Sequence, residues 1–198
     1  MQQRIINTAE SMFFRFGIRS VTMDDIAKEL GISKKTIYHY FTDKDDLVEK
    51  VTSHSLENEL CKTQDIYERA QNPIEEMIFS TKMMREMLQN VNPVLFYDLK
   101  KYHPKCWEKY VGFKNGFLET VKRNLSNGIA LKLYRPEINV EIMAKLRIET
   151  VDLAFNIEYF PPASYNLLQV QLESIDHFIR GIVTPAGLEI YEKTRLAI

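Results

Sequence analysis

Seven consecutive residues, Lys34-Lys35-Thr36-Ile37-Tyr38-His39-Tyr40, carry the densest chemistry in the chain. Two lysines, a threonine hydroxyl, two phenols and an imidazole surround one aliphatic side chain. Lysine ammonium groups meet phosphates or guanine edges, and Tyr and Thr hydroxyls bond phosphate or base. Exposed aromatics beside lysines are unusual on a plain solvated face. A capped helical bundle with ordinary surface lysines would present the same cations, and the residue types alone leave both readings open.

To act together these side chains must share the outer side of one short helix. Ile37 and Phe41, four apart, give that helix its inward anchor. Ser33 stands at its N-cap position, one residue past Ile32. The preceding segment, Thr22-Met23-Asp24-Asp25-Ile26-Ala27-Lys28-Glu29-Leu30-Gly31, opens with Thr-x-x-Asp, so the Thr22 hydroxyl is placed to accept from the backbone N–H three residues on. Its two aspartates favour the positive end of a helix. Ile26, Ala27 and Leu30 form an inward stripe, and Gly31 permits a sharp turn. Two helices joined by a short glycine turn are a helix-turn-helix. Before it, Ile5, Ala9, Met12, Phe13 and Phe16 recur with helical spacing, and Gly17 stands where a left-handed cap would end that helix. After it, Thr42 and Asp43 are both cap candidates for a helix from near Asp45 to about Ala70.

These residues resemble the tetracycline-repressor (TetR) family: Thr22-Met23-Asp24-Asp25-Ile26-Ala27, Leu30-Gly31-Ile32-Ser33, Thr36-Ile37-Tyr38-His39-Tyr40-Phe41, and Lys44 before Leu47. The likeness covers residues 5 to 50; beyond it only the helical layout and the length are similar. The resemblance implies that Thr22, Tyr38 and Lys44 hold phosphates, and that Lys34, Lys35, Thr36, His39 and Tyr40 contact bases or backbone. It also implies three DNA-binding helices (residues 1–50), a fourth helix leading into an all-helical ligand-binding and dimerisation domain (51–198), and a dimer on double-stranded operator DNA. Some family members read DNA from the position of Asp24 with a basic residue; the acid here argues against a base contact from the second helix.

The rest of the chain reads as all-α. There is no sustained period-two alternation and no Asn-Gly hairpin signal. Proline is absent before Pro73; Asn72-Pro73 is an N-cap followed by a first helical position, and later prolines punctuate further helices. From Asn139 to Phe160, thirteen of twenty-two residues are apolar, whereas a helix with one buried face needs only about three in seven. The next helix carries Leu168, Leu172, Ile175, Ile179 and Ile182 in a single row. Two such helices either lie centrally in one core or, as the resemblance implies, form a homodimer interface over residues 139–184, the two-fold a palindromic operator requires. Between the two ends, Met83, Met84 and Met87 share a helix with Met77 and Phe79, and Phe96, Tyr97, Trp107, Tyr110, Phe113 and Phe117 follow. With Phe155, these adaptable and aromatic side chains suit an apolar pocket, which the family resemblance makes a small-molecule effector site. The expected protein is a repressor released from its operator by a small, largely apolar ligand. The alternative is a DNA-bound adaptor or activator whose C-terminal domain recruits a protein and senses no inducer.

Composition bounds these readings. The 198 residues hold 26 Lys+Arg against 27 Asp+Glu, so a nucleic-acid contact must come from a local patch and not from bulk charge. With 45% apolar and 27% charged residues the chain is not a disordered one. The longest apolar run, Val94 to Tyr97, is far below the roughly 20 residues a membrane span needs, and Met1-Gln2-Gln3-Arg4 leads directly into an amphipathic pattern with no signal core. Two cysteines fit a reducing cytoplasm better than a disulfide framework. His103 with Cys106 and His54 with Cys61 lack a second pair at zinc-finger spacing, and no Gly-rich phosphate loop, HExxH or G-x-S-x-G motif occurs. No enzyme activity, cofactor or metal is expected.

Overall fold

The computed structural model describes residues 1–89 and 91–195. Among these are ten helices and one isolated antiparallel bridge, Tyr134 to Val183. The helices are α1 (Gln2–Phe16), α2 (Met23–Leu30), α3 (Lys34–Tyr40), α4 (Lys44–Arg69), α5 (Pro73–Leu88), α6 (Val94–Tyr102), α7 (Pro104–Ala130), α8 (Val140–Ala154), α9 (Leu167–Ile182) and α10 (Pro185–Arg195). None of them is long and apolar enough to cross a membrane. The described residues form two compact units. Unit 1 gathers Met1–Leu60 and 91–113, and unit 2 gathers Cys61–Gln89 and 114–195, so the division falls inside α4 and inside α7.

Unit 1 is built on capped short helices. Thr22 accepts from the Asp25 N–H at 3.2 Å while the Thr22 N–H donates to the Asp25 carboxylate at 2.9 Å, a complete capping box. Gly31 closes α2 with φ 65 and ψ 33, the left-handed conformation that a residue with a Cβ adopts only at a cost. The Ser33 hydroxyl accepts from the Thr36 N–H at 3.1 Å and starts α3. Of the two candidates before α4, Asp43 caps, accepting from the Asp46 N–H at 2.8 Å. Gly17 has the expected positive φ, 82, but an extended ψ of 158, so it turns the chain out of α1 without a left-handed cap. The core joins Ile5, Ala9 and Phe13 to Ile26, Ile37, Phe41 and Leu47; Leu95 and Leu99 of α6 and Cys106 of α7 belong to the same cluster.

In unit 2 the Asn72 side chain accepts from the Ile74 and Glu75 N–H groups, both at 3.0 Å, with Pro73 opening α5 as its sequence position predicts. Helix α8 stops at Ala154, short of the Phe160 that the apolar run suggests. Asn156 accounts for the stop, because its side chain accepts from the Glu158 N–H at 2.9 Å and offers the backbone a turn in place of another helical bond. The buried row of α9 is Leu167, Gln171, Ile175, Ile179 and Ile182, with Leu168 and Leu172 half-buried on its shoulder. A polar network ties α5 to α7: Asn124 donates to the Pro73 carbonyl and to Glu76, both at 2.9 Å, and accepts from the Tyr134 hydroxyl at 3.1 Å. Gly128 makes room for Tyr134, since a Cβ there would lie 2.0 Å from the tyrosine ring.

Candidate nucleic-acid interface

Helix α3 presents its chemistry outward. Ile37 is fully buried and Phe41 nearly so, which leaves Lys34, Lys35, Tyr38, His39 and Tyr40 exposed, the last two with rings in edge contact at 5.1 Å. Tyr38 and Tyr40 keep 45% and 38% of their surface open beside the two lysines. Thr36 is half-buried, its hydroxyl 2.9 Å from that of Ser33. Thr22 lies exposed at the start of α2, with its hydroxyl donating to Asp25 at 2.6 Å. These two hydrogen bonds from Thr22, side chain then backbone, hold the Asp25 carboxyl below its usual range.

Two of the expected cationic DNA contacts are also engaged within the chain. Lys34 Nζ donates to Asp24 at 2.7 Å, and that hydrogen bond raises its pKa. The acid at position 24 thus neutralises the first lysine of α3 as well as withholding a base-reading cation from α2. Lys44 is half-buried and donates to the Ile18 carbonyl at 2.6 Å. Burial pushes its ammonium down in spite of Asp98 and Asp45 nearby. In this arrangement it ties the start of α4 to the turn between α1 and α2. Lys35 makes no intramolecular bond to the described residues and is exposed, so its charge is available as it stands.

Sequence reasoning missed the residues that hold this surface in place. Asp98 of α6 is 2% exposed and accepts from the Arg19 N–H at 3.0 Å, and the Cβ that Gly17 lacks would sit 3.3 Å from the same carboxylate. The Asn92 N–H donates to the Phe14 carbonyl at 2.7 Å. Together these bonds pin the turn after α1 to the segment that opens α6. One signal was present: a lone aspartate inside the apolar run of α6. His103 Nδ1 lies 3.2 Å from Asp45, yet burial outweighs that partner and lowers the imidazole pKa.

Comparison with known proteins decides what this surface belongs to. The family model described as "Bacterial regulatory proteins, tetR family" matches residues 5–51, the segment from α1 through the start of α4. The HTH-type transcriptional regulator YvaF of Bacillus subtilis is 28% identical over 92% of this chain and 95% of its own. The chain carries the N-terminal domain of TetR-family transcriptional regulators over residues 5–51. The HTH-type transcriptional repressor KstR2 of Mycolicibacterium smegmatis is 24% identical to this chain, covering 94% of it and 92% of the repressor. The crystal structure of the regulator FadR from Bacillus subtilis in complex with stearoyl-CoA has the same fold, with a TM-score of 0.69 at 18% identity over 92% of this chain and 100% of that one.

The residues expected to bind a ligand fall into two groups. Phe96, Tyr97, Trp107, Tyr110 and Phe113 belong to unit 1, where Phe96, Trp107 and Tyr110 pack on the helix-turn-helix core, with ring centroids 5.7 Å apart for Phe96–Tyr110 and 5.1 Å for Trp107–Tyr110. Tyr97 is exposed, with the Lys101 ammonium donating to its hydroxyl at 2.7 Å. Met83, Met84, Met87, Phe117 and Phe155 belong to unit 2, all half-buried. An open cleft of about 630 Å³ in unit 2 includes Met83, but its other lining residues are Lys62, Asp65, Ile66, Arg69, Phe79, Lys82 and Glu86. Five of those eight residues are charged, so this cleft is not the apolar pocket the methionines suggest. The cations Lys114, Lys122 and Arg123 are held by Asp152, Glu141 and Glu76 respectively.

Proposed function

We propose that this TetR-family regulator is a homodimeric repressor that binds a palindromic operator through α3 and leaves it when a small, largely apolar ligand enters residues 51–198. The observation that carries the reading is the outer face of α8. Ile142, Leu146 and Leu153 are 57%, 52% and 44% exposed and form one stripe, in a helix whose opposite side is already buried. Such a stripe lacks a partner among the described residues, and a second copy supplies one by two-fold symmetry. Two related recognition helices then meet successive major grooves. The repressor name of KstR2 supports repression, and the stearoyl-CoA bound by FadR supports an effector with a long apolar chain. Release follows from linkage: the ligand must favour a state whose two α3 helices no longer match the operator.

Sedimentation of the wild type and of Leu146→Glu tests this. Leu146 is half exposed, so a charge there spares the monomer core, whereas Ile175 is buried in that core and a charge there would confound the result. The expected outcome is a dimer for the wild type and a folded monomer for Leu146→Glu, with operator affinity reduced at least tenfold. A dimer that survives the substitution contradicts the interface. A thermal-shift screen followed by operator titration tests the effector: stabilising apolar compounds should release DNA, and stabilisation without release contradicts the coupling.

A further inference from the structure

Unit 2 buries a charge that nothing within it pairs. Arg147 is 8% exposed, and its Nη1 has no hydrogen-bond partner among the described residues. The carboxylates of its own helix are taken elsewhere: Glu141 by Lys122, Glu149 by Lys114 and Lys145, and Asp152 by Lys114. Burial lowers the guanidinium pKa to about 10, with no opposing charge to restore it, so the group is still a cation at neutral pH. At roughly 100° per residue, Arg147 lies about 140° around α8 from Ile142 and on the face shared with Ala144, Val151 and Ala154. It therefore points away from the outer apolar stripe and is not held for a second copy. On α9, Gln171 is fully buried and donates to the Val151 carbonyl at 2.9 Å, one turn along that same face of α8. The Oε1 of Gln171 has no partner either. A buried donor on α8 and a buried acceptor on α9, both unsatisfied, thus lie on two helices joined by the Gln171–Val151 bond. Native interiors satisfy nearly all such groups, and an unpaired buried charge is the costliest exception.

We propose that Arg147 is the anion anchor of the effector site and that the effector is a carboxylic acid with an apolar body. This rests on the reading of unit 2 as the ligand-binding domain. One unpaired cation neutralises one negative charge. A phosphate dianion would leave a net charge in the interior, because Lys114 already serves two carboxylates. The guanidinium fork matches the two oxygens of a carboxylate. The body must be apolar because the interior of unit 2 is Ile78, Val121, Leu125, Ile148 and Ile175. Gln171 Oε1 can accept from a single hydroxyl or a water.

Titration calorimetry on the full chain tests the proposal. The probes are octanoate, dodecanoate, hexadecanoate and naphthylacetate, each matched with the alcohol of the same carbon skeleton. The wild type should bind the acids at least about tenfold more tightly than the alcohols, since a site with a buried polar group rejects the analogue that leaves it unpaired. Arg147→Met should abolish that preference by weakening acid binding at least about tenfold. Without ligand, Arg147→Met should melt no lower than the wild type, because the substitution removes an unpaired buried charge. Equal affinity for acid and alcohol in the wild type, or a preference that survives Arg147→Met, overturns the anchor and leaves the ligand-binding reading standing. Binding of neither series overturns both. A lower melting temperature for unliganded Arg147→Met shows that Arg147 is paired inside the free protein, through water to Gln171, and also overturns the proposal.

Discussion

The two units of this chain distribute polarity in opposite ways. In unit 1 the working polar groups lie on the surface and are organised locally: Thr22 with Asp25, Ser33 with Thr36, Lys34 with Asp24. Asp98 is its one buried charged or polar residue among those described, whereas unit 2 buries Glu76, Asn124, Arg147 and Gln171. Unit 2 in turn exposes Ile142, Leu146 and Leu153 on a single helix. A surface of cations and phenols over an apolar core fits a polyanion that stays outside. An interior with unsatisfied polar atoms beneath an apolar exterior fits a ligand within and a second copy without.

The contrast can be broken most severely in unit 2. Gly128→Ala places a Cβ against the Tyr134 ring, which the buried network from Asn124 to Glu76 holds in place. The expected loss is about 3 kcal/mol or more of stability, read as the urea midpoint, because a packed core cannot yield so far. A midpoint within error of the wild type would mean that Tyr134 moves freely and that the network does not fix it. In unit 1 the next effect concerns charge. Asp24→Asn releases Lys34 and removes an anion from the DNA-facing side, so operator affinity at low salt should rise severalfold, with a steeper salt dependence. Unchanged binding would place Lys34 outside the interface. Thr22→Ala removes half of the capping box and should cost about 1 kcal/mol in chemical unfolding.

The smallest effect is on pH dependence. Burial lowers the folded-state pKa of His103, so its neutral form favours the fold. Its contribution is complete above the ordinary histidine pKa near 6.5 and is lost as the pH falls through the lower folded value. The wild type should lose more stability than His103→Gln between neutral pH and the acid side of that window. Parallel curves for the two proteins would show that Asp45 compensates for burial.

What could be read from the sequence follows the same division. Unit 1 announces itself because its signals are local: Thr22 to Asp25, Gly31, Ser33 and the Ile37–Phe41 pair act over three or four residues, and each does in the structure what its type predicts. The place of α6 in that core was not legible, since Leu95, Leu99 and Asp98 reach α1 and its following turn across some eighty residues. In unit 2 the two buried polar residues hid the register. Gln171 interrupts the apolar row of α9, so the visible row of leucines runs one residue off the buried one. Arg147, a charge at an inward position between Ala144 and Val151, is the signal that an apolar count of the run from 139 to 160 passes over. The aromatics of α6 and α7 look like a pocket in composition, but Phe96, Trp107 and Tyr110 pack on the helix-turn-helix core.

The most direct test of the account is the salt dependence of operator binding by the wild type and Lys35→Ala, on a duplex selected from randomised DNA. Lys35 is exposed on α3, and no ion pair with the described residues must break before it reaches a phosphate. Each phosphate contact contributes about 0.9 to the slope of log K against log salt, so a dimer that loses two should show a slope lower by about two and weaker binding at moderate salt. The selected duplex should be palindromic. An unchanged slope and affinity on such a duplex would contradict the assignment of α3 as the DNA-reading helix.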